Sequence, residues 1–211
     1  MEEKHALTAR ERKALKTKNK LLEAGKKVLL EQGFQKATVT QIIREAGTGY
    51  GTAYVYFKNK DELLIVLMED VMAKFYDVAG RTFAPKTSKE AYHLIEDQVK
   101  SFLSLAVEER DILRVVKEAS GVSEAVASYW EDVRSRFIGS IAADIRHVQE
   151  KGLAAKHFDP EFTARAWYYA NEMFLWDGVR DGSSFPSKKV IQTLTDLYTG
   201  GLYKDQEGSS H

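Results

Sequence analysis

Residues 38–62 read TVTQIIREAGTGYGTAYVYFKNKDE, and this stretch decides the fold. The Thr40 hydroxyl is placed to N-cap a helix over residues 41–46, where it can accept from an orphan backbone N–H. Within that helix Ile42, Ile43 and Ala46 form one apolar stripe, which requires a core to pack on. Gly47 follows at once, as expected where a helix ends in a left-handed residue. Gly49 opens a second short helix through Phe57. Its leading face carries the small residues Gly51, Thr52 and Ala53, with Tyr50 and Tyr54 four apart on one side and Val55 beside them. Phe57 points back to the core, and Asn59 with Glu62 forms a capping box for a third helix. Helix, glycine turn, slim second helix and capped third helix is the layout of a helix-turn-helix, whose second helix enters the major groove of DNA.

The glycines of Gly47-Thr48-Gly49-Tyr50-Gly51 superficially suggest a dinucleotide loop. Such a loop follows a strand and opens a crossover helix. Here a helix precedes it and no parallel-strand pattern exists. The plainer alternative is a helical hairpin with glycines for packing.

From residue 17 to residue 67 the chain resembles the tetracycline-repressor (TetR) family of bacterial one-component regulators. The resemblance is carried by Leu21-Leu22-Glu23-Ala24-Gly25, Val28-Leu29, Glu31-Gln32-Gly33-Phe34, Thr38-Val39-Thr40, Ile42-Ile43, Ala46-Gly47, Gly51-Thr52, Tyr54-Val55-Tyr56-Phe57 and Lys58-Asn59-Lys60-Asp61-Glu62-Leu63. Three positions depart from the pattern. Thr48 replaces an aliphatic residue, Gly49 a common serine cap, and Ala53 a leucine. They weaken local packing and put base preference in doubt. By the resemblance, Thr38, Thr40, Tyr54, Tyr56 and Lys60 touch phosphate. Gly49, Tyr50, Gly51, Thr52 and Val55 complete the DNA-binding set, with Tyr50, Gly51, Thr52 and Val55 toward base edges.

Charge agrees once it is split. The 211 residues carry 31 Lys/Arg and 31 Asp/Glu. Up to Lys60 there are thirteen basic residues against six acidic, so the remainder is acidic by the same margin. Nucleic acid at one end only explains that asymmetry. Arg10, Arg12, Lys13 and Lys16 form a basic arm that can reach phosphates or an adjacent minor groove; the alternative is a solvated tail.

The rest of the chain is read as helical, giving an all-α fold. Helices are expected near 17–32, 40–46, 50–57, 60–80, 88–106, 109–119, 123–151, 159–180 and 187–203. The three prolines, at 85, 160 and 186, sit near helix boundaries. Two domains are expected: residues 1–60, a helix-turn-helix with its basic arm, and residues 61–205, an effector-binding and dimerisation bundle. Residues 205–211 look frayed.

The second domain is rich in aromatics. Trp130 and Phe137 lie seven apart on one helix, Trp167, Asn171 and Phe174 share a face of another, and Tyr169 pairs with Met173. With Phe102 these residues either fill a core or line an apolar cavity with a few polar groups. The family resemblance implies the cavity and a small effector, so Phe102, Trp130, Phe137, Trp167, Asn171 and Phe174 are its expected wall. Arg114, Glu118, Asn171 and Glu172 are the polar candidates. For a homodimer, small residues Thr163, Ala164, Ala166, Ala170 and Gly178 would face an apolar stripe of Val190, Ile191, Leu194, Leu197 and Tyr198 in a four-helix interface. Ala166, Ala170, Ile191, Leu194 and Tyr198 are its expected centre.

Other functions find little in the sequence. There is no cysteine, which removes disulfides and thiolate metal sites. The histidines, at 5, 93, 147, 157 and 211, include no i,i+4 pair. Asp144 and His147 share a helix face and are read as a surface ion pair. Phosphate-loop and elbow-serine motifs are missing. No apolar run approaches the ~20 residues of a membrane span, and the charged N-terminus lacks a signal core. The expectation is a cytoplasmic, cofactor-free, non-enzymatic regulator. Its partners are double-stranded operator DNA, a small effector and a second copy of itself, with no membrane. A repressor released by its effector is the leading form. An activator or an effector-independent regulator is the alternative, and an enzyme using the cavity a more distant one.

Overall fold

The computed structural model describes residues 8–182 and 185–203. Residues 1–7, 183–184 and 204–211, with His5, His211 and the frayed tail among them, lie outside this range. The described residues form helices α1 (Ala9–Lys36), α2 (Val39–Ala46), α3 (Tyr50–Tyr56), α4 (Lys60–Ala79), α5 (Ser88–Glu108), α6 (Arg110–Ser120), α7 (Glu124–Glu150), α8 (Pro160–Asp181) and α9 (Lys188–Leu202). The only β feature among them is an isolated antiparallel bridge between Ala154 and Tyr203. The all-α reading holds, and most boundaries fall within two residues of expectation.

Two differences in the first helices have clear causes. α1 begins at Ala9 because Thr8 and Glu11 close a capping box, with Thr8 Oγ1 accepting from Glu11 N and Glu11 Oε2 accepting from Thr8 N at 2.7 Å. Arg10, Arg12, Lys13 and Lys16 are therefore exposed residues of helical turns and not an extended arm. Thr38, not Thr40, caps α2. Its hydroxyl accepts from Gln41 N and donates to Gln41 Oε1 at 3.0 Å, while its own N–H donates to that oxygen. Thr38 precedes the helix in extended conformation, as an N-cap must; Thr40 lies one residue inside.

The chain divides into two compact units. Among the described residues, the first comprises those up to Asp70 together with Val115–Ala127; the second comprises Val71–Arg114 and those from Ser128 onward. The expected cut after Lys60 thus falls inside the first unit, which includes the first half of α4 and the segment around Glu118. The first unit's core buries Leu21, Leu29, Phe34, Ile42, Ile43, Ala46, Phe57 and Leu64, each at most 7% exposed. The second buries Phe75, Leu103, Leu113, Val133, Ile145, Tyr168 and Leu175. There α5 packs against α8 and α9.

The loop between α1 and α2 positions the helix-turn-helix, and one glycine and two charged side chains fix it. Gly33 adopts φ 75°, and a Cβ there would lie 2.9 Å from Glu118 Oε2. The left-handed φ is what calls for glycine. The Glu118 carboxylate uses that room to accept from Phe34 N at 2.9 Å and Gln35 N at 3.0 Å. On the loop's other side, Lys60 Nζ donates to the carbonyls of Phe34, Gln35 and Ala37 at 2.6, 3.3 and 3.0 Å. Backbone groups with no helical partner are satisfied by charged side chains of distant segments.

Candidate functional site

α3 is seven residues long and buries one of them, Ala53. Tyr50 (55% exposed), Tyr54 (50%) and Val55 (79%) stand in solvent with Gly49, Gly51 and Thr52. A Cβ added at Gly51 would meet nothing, so the helix's leading edge is open. Apolar side chains do not remain this exposed on a short helix for the sake of stability. Their arrangement suits contact with base edges and thymine methyls. Ala53 answers the departure noted in the sequence: a small residue seats α3 on its own core, with Phe57 buried after it.

The expected phosphate contacts divide. Thr40 and Tyr54 are exposed, Thr38 is exposed but engaged in its cap, and Tyr56 is partly covered. Lys60 does not fit the expectation. Its ammonium is committed to three carbonyls and lies 4.5 Å from the centre of the Phe34 ring. The side chain holds the loop that leads into α2. Asn59 caps α4 as expected, through Oδ1 to Glu62 N at 2.8 Å. Glu62 reaches back to Lys58 N instead of closing the box on Asn59.

In the second unit, a half-open pocket is lined by Val78, Ala79, Ile95, Gln98, Val99, Phe102, Phe137, Ser140, Ile141, Asp144, Trp167, Tyr168 and Asn171. Four expected residues, Phe102, Phe137, Trp167 and Asn171, stand together on its wall. Phe137 stacks on Tyr168 with ring centres 6.0 Å apart and meets Phe102 edge-on at 6.1 Å. Asn171 donates through Nδ2 to Trp167 O at 2.9 Å, which leaves its carbonyl oxygen as an acceptor.

Trp130 and Phe174 are not on this wall. The Trp130 indole N–H donates to Glu172 Oε1 at 2.6 Å and its ring lies against Trp176. Glu172, 4% exposed, also accepts from Arg134 Nε and Nη2 at 3.0 Å. This buried carboxylate is fully engaged and serves packing. The other polar candidates are also occupied elsewhere: Glu118 on the α1–α2 loop, and Arg114 on the carbonyls of Val179 and Arg180.

Asp144 departs from its expected role. It forms no surface ion pair with His147; its carboxyl lines the pocket, with no hydrogen bond or ion pair among the described residues. Burial raises its pKa to about 6, against a lowering by the charge of His147. Burial, and then the charge of Glu172, likewise raise the Tyr168 phenol well above its ordinary range. The spacing of Ile141 and Asp144 on α7, one and two turns beyond Phe137, was the signal that could have found this residue.

Residues 21–67 match the model of the bacterial regulatory proteins of the tetR family, and residues 95–204 match that of the C-terminal domain of the transcriptional regulator EthR. The chain belongs to the TetR family of transcriptional regulators. It is 24% identical over 185 residues to the HTH-type transcriptional regulator EthR of Mycobacterium tuberculosis, covering 87% of this chain and 85% of that one. It is 33% identical over 85 residues to the fatty acid metabolism regulator protein of Bacillus subtilis, a match spanning 40% of this chain and 44% of that relative. Among solved structures it shares its fold with NalD, the secondary repressor of the MexAB-OprM multidrug efflux pump in Pseudomonas aeruginosa. The TM-score is 0.72 at 22% identity, covering 92% of this chain and 99% of that one. In this TetR-family protein, α2 and α3 are the helix-turn-helix and the C-terminal helices form the ligand-binding domain.

The expected dimer residues do not lie on one surface. Leu194 is 2% exposed and Ala164 is fully buried in the single chain, so neither is available to a partner. Tyr198 stacks on Trp167 with centres 4.2 Å apart, and Gly178 lies against Phe185. Ala166 is exposed, while Ala170 and Ile191 are partly so. The apolar side chains that do face outward are Phe162 (76% exposed), Tyr169 (40%) and Met173 (65%) on α8 and Leu197 (73%) on α9.

Proposed function

We propose that this chain is a repressor that binds a palindromic operator as a homodimer and is released by a small, largely apolar effector. The observation that carries the DNA-reading part is α3, which exposes Tyr50, Tyr54 and Val55 while burying Ala53 alone. Tyr50, Gly51, Thr52 and Val55 are assigned to base edges; Thr38, Thr40, Tyr54 and Tyr56 are assigned to phosphates. Lys60 is assigned to holding the α1–α2 loop. The exposed basic residues Arg10, Arg12, Lys13 and Lys16 add phosphate contacts from the first turns of α1.

For the dimer, Phe162, Ala166, Tyr169 and Met173 recur at helical spacing on α8 and, with Leu197, form an outward apolar face that a second copy would cover. The effector is assigned to the pocket of Phe102, Phe137, Trp167 and Asn171. Val78 and Ala79 at the end of α4 also line it, and α4 begins at Lys60. The proposed signal runs along that helix: an effector favouring a conformation unsuited to the operator lowers DNA affinity. The half-open aromatic pocket favours this reading over an effector-independent regulator.

Selection of bound duplexes from a random pool tests the proposal. An enriched inverted repeat with half-sites about one helical turn apart, or a small multiple, is the expected result. Enrichment of an isolated half-site, or of nothing, would contradict it.

A further inference from the structure

Asp144 is the single charged side chain lining the pocket. Around it stand the aromatic faces of Phe102, Phe137, Trp167 and Tyr168, with the neutral Gln98, Ser140 and Asn171 as the polar remainder. The carboxyl has no hydrogen-bonding or ion-pairing partner among the described residues, unlike Glu172, whose oxygens are all engaged. An unpaired carboxylate in an apolar wall is costly unless something of opposite charge arrives. Aromatic faces attract the same kind of charge.

We propose that the effector is a lipophilic amine: an apolar body seated among Phe102, Phe137 and Trp167, with a protonated nitrogen bonded to Asp144. The inference rests on the reading of this pocket as the effector site, and names the class that fits it. A free carboxylate ligand is excluded by the same charge, since it would bring two anions together in a poorly solvated site. The carboxyl's environment agrees. Burial holds its pKa at about 6, so it is mostly ionised at neutral pH and gains a partner when an ammonium binds. His147 on the same helix and the phenols of Tyr198 and Tyr203 from the C-terminal segment are the titratable groups that act on it or feel its charge.

The test uses three ligands of one shape, 4-phenylbutylamine, 4-phenylbutanol and 4-phenylbutyrate, titrated calorimetrically into the full chain at pH 7.5. Binding of the alcohol reports the pocket; the ratio of amine to alcohol reports Asp144. The expected order is amine, then alcohol, then carboxylate, with the amine favoured about tenfold or more. Asp144→Asn should bring amine and alcohol to near equality while leaving the alcohol's affinity in place. That retained affinity also shows that the variant folds. The amine preference should fall as pH drops from 7.5 to 5, in wild type and in His147→Gln but not in Asp144→Asn. Equal binding of amine and alcohol by the wild type, tighter binding of the carboxylate, or a preference surviving Asp144→Asn overturns this inference alone. Failure of all three ligands to bind overturns the assignment of the pocket as well.

Discussion

The Lys60 ammonium lies 2.6 Å from the Phe34 carbonyl oxygen and 4.5 Å from the centre of the Phe34 ring. One charge thus secures the end of α1 both by hydrogen bonding and by contact with an aromatic face. The same ammonium reaches Gln35 and Ala37, so that the loop entering α2 is tied to the first turn of α4.

Lys60→Met should therefore lower the stability of the helix-turn-helix unit by about 1–3 kcal/mol, the cost of leaving partly buried carbonyls without their donor. Denaturant unfolding measures this. The dependence of DNA affinity on salt should keep its slope, because no phosphate contact is lost. A slope flatter by about one unit with unchanged stability would return Lys60 to the phosphate backbone.

Thr48 stands where an aliphatic residue is usual, and its hydroxyl oxygen is buried with no hydrogen-bond partner. Thr48→Val keeps the shape and removes the unsatisfied group. It should stabilise the unit by about 1 kcal/mol. Thermal unfolding checks the direction; a loss of stability would mean that the hydroxyl is bonded in solution.

Tyr50 is 55% exposed and stabilises little within its own chain. Tyr50→Ala should leave thermal unfolding nearly unchanged and alter which duplexes are enriched in a binding selection, at a cost of about 1–3 kcal/mol for the original site. An equal loss of affinity for all sequences would instead assign the phenol to the backbone.

Asp144 sets a pH dependence of stability. Burial raises its carboxyl from 3.8 to about 6, so folding favours the protonated form. The cost of holding it ionised is absent below the unfolded value, grows between the two, and is complete above the folded one. Asp144→Asn should accordingly stabilise the free protein above pH 6 and make no difference near pH 3.5. Taken in full, that rise would imply about 3 kcal/mol, but partial exposure screens it, and about 1 kcal/mol is expected. Unfolding followed at several pH values decides it. Destabilisation at pH 7.5 would show a favourable native partner for the carboxylate.

The helices were legible because their signals are local. Apolar spacing, Gly47 after Ala46, Asn59 before α4 and the prolines at helix ends each depend on neighbours in sequence. The reading failed where a side chain's partner is remote. Glu118 looked like a cavity acid and bonds two amides more than eighty residues away. Lys60 matched a phosphate position and is drawn to three carbonyls near Phe34. Leu194 and Leu197 belong to one apolar stripe, yet only the first is buried by its own chain. Periodicity gives the stripe and not which edge of it meets the core. Asp144 was paired with His147 because they share a helix face; the pocket came from aromatics on other helices, whose convergence no local pattern records.

The most direct test of the account measures one ligand twice. The tightest binder of the phenylbutyl series is titrated into the protein alone and into the protein saturated with its selected duplex. If the pocket and α3 are coupled as a repressor requires, the duplex weakens ligand binding about 5–150-fold, and the ligand weakens duplex binding by the same factor. Identical ligand affinities with and without the duplex would contradict the account.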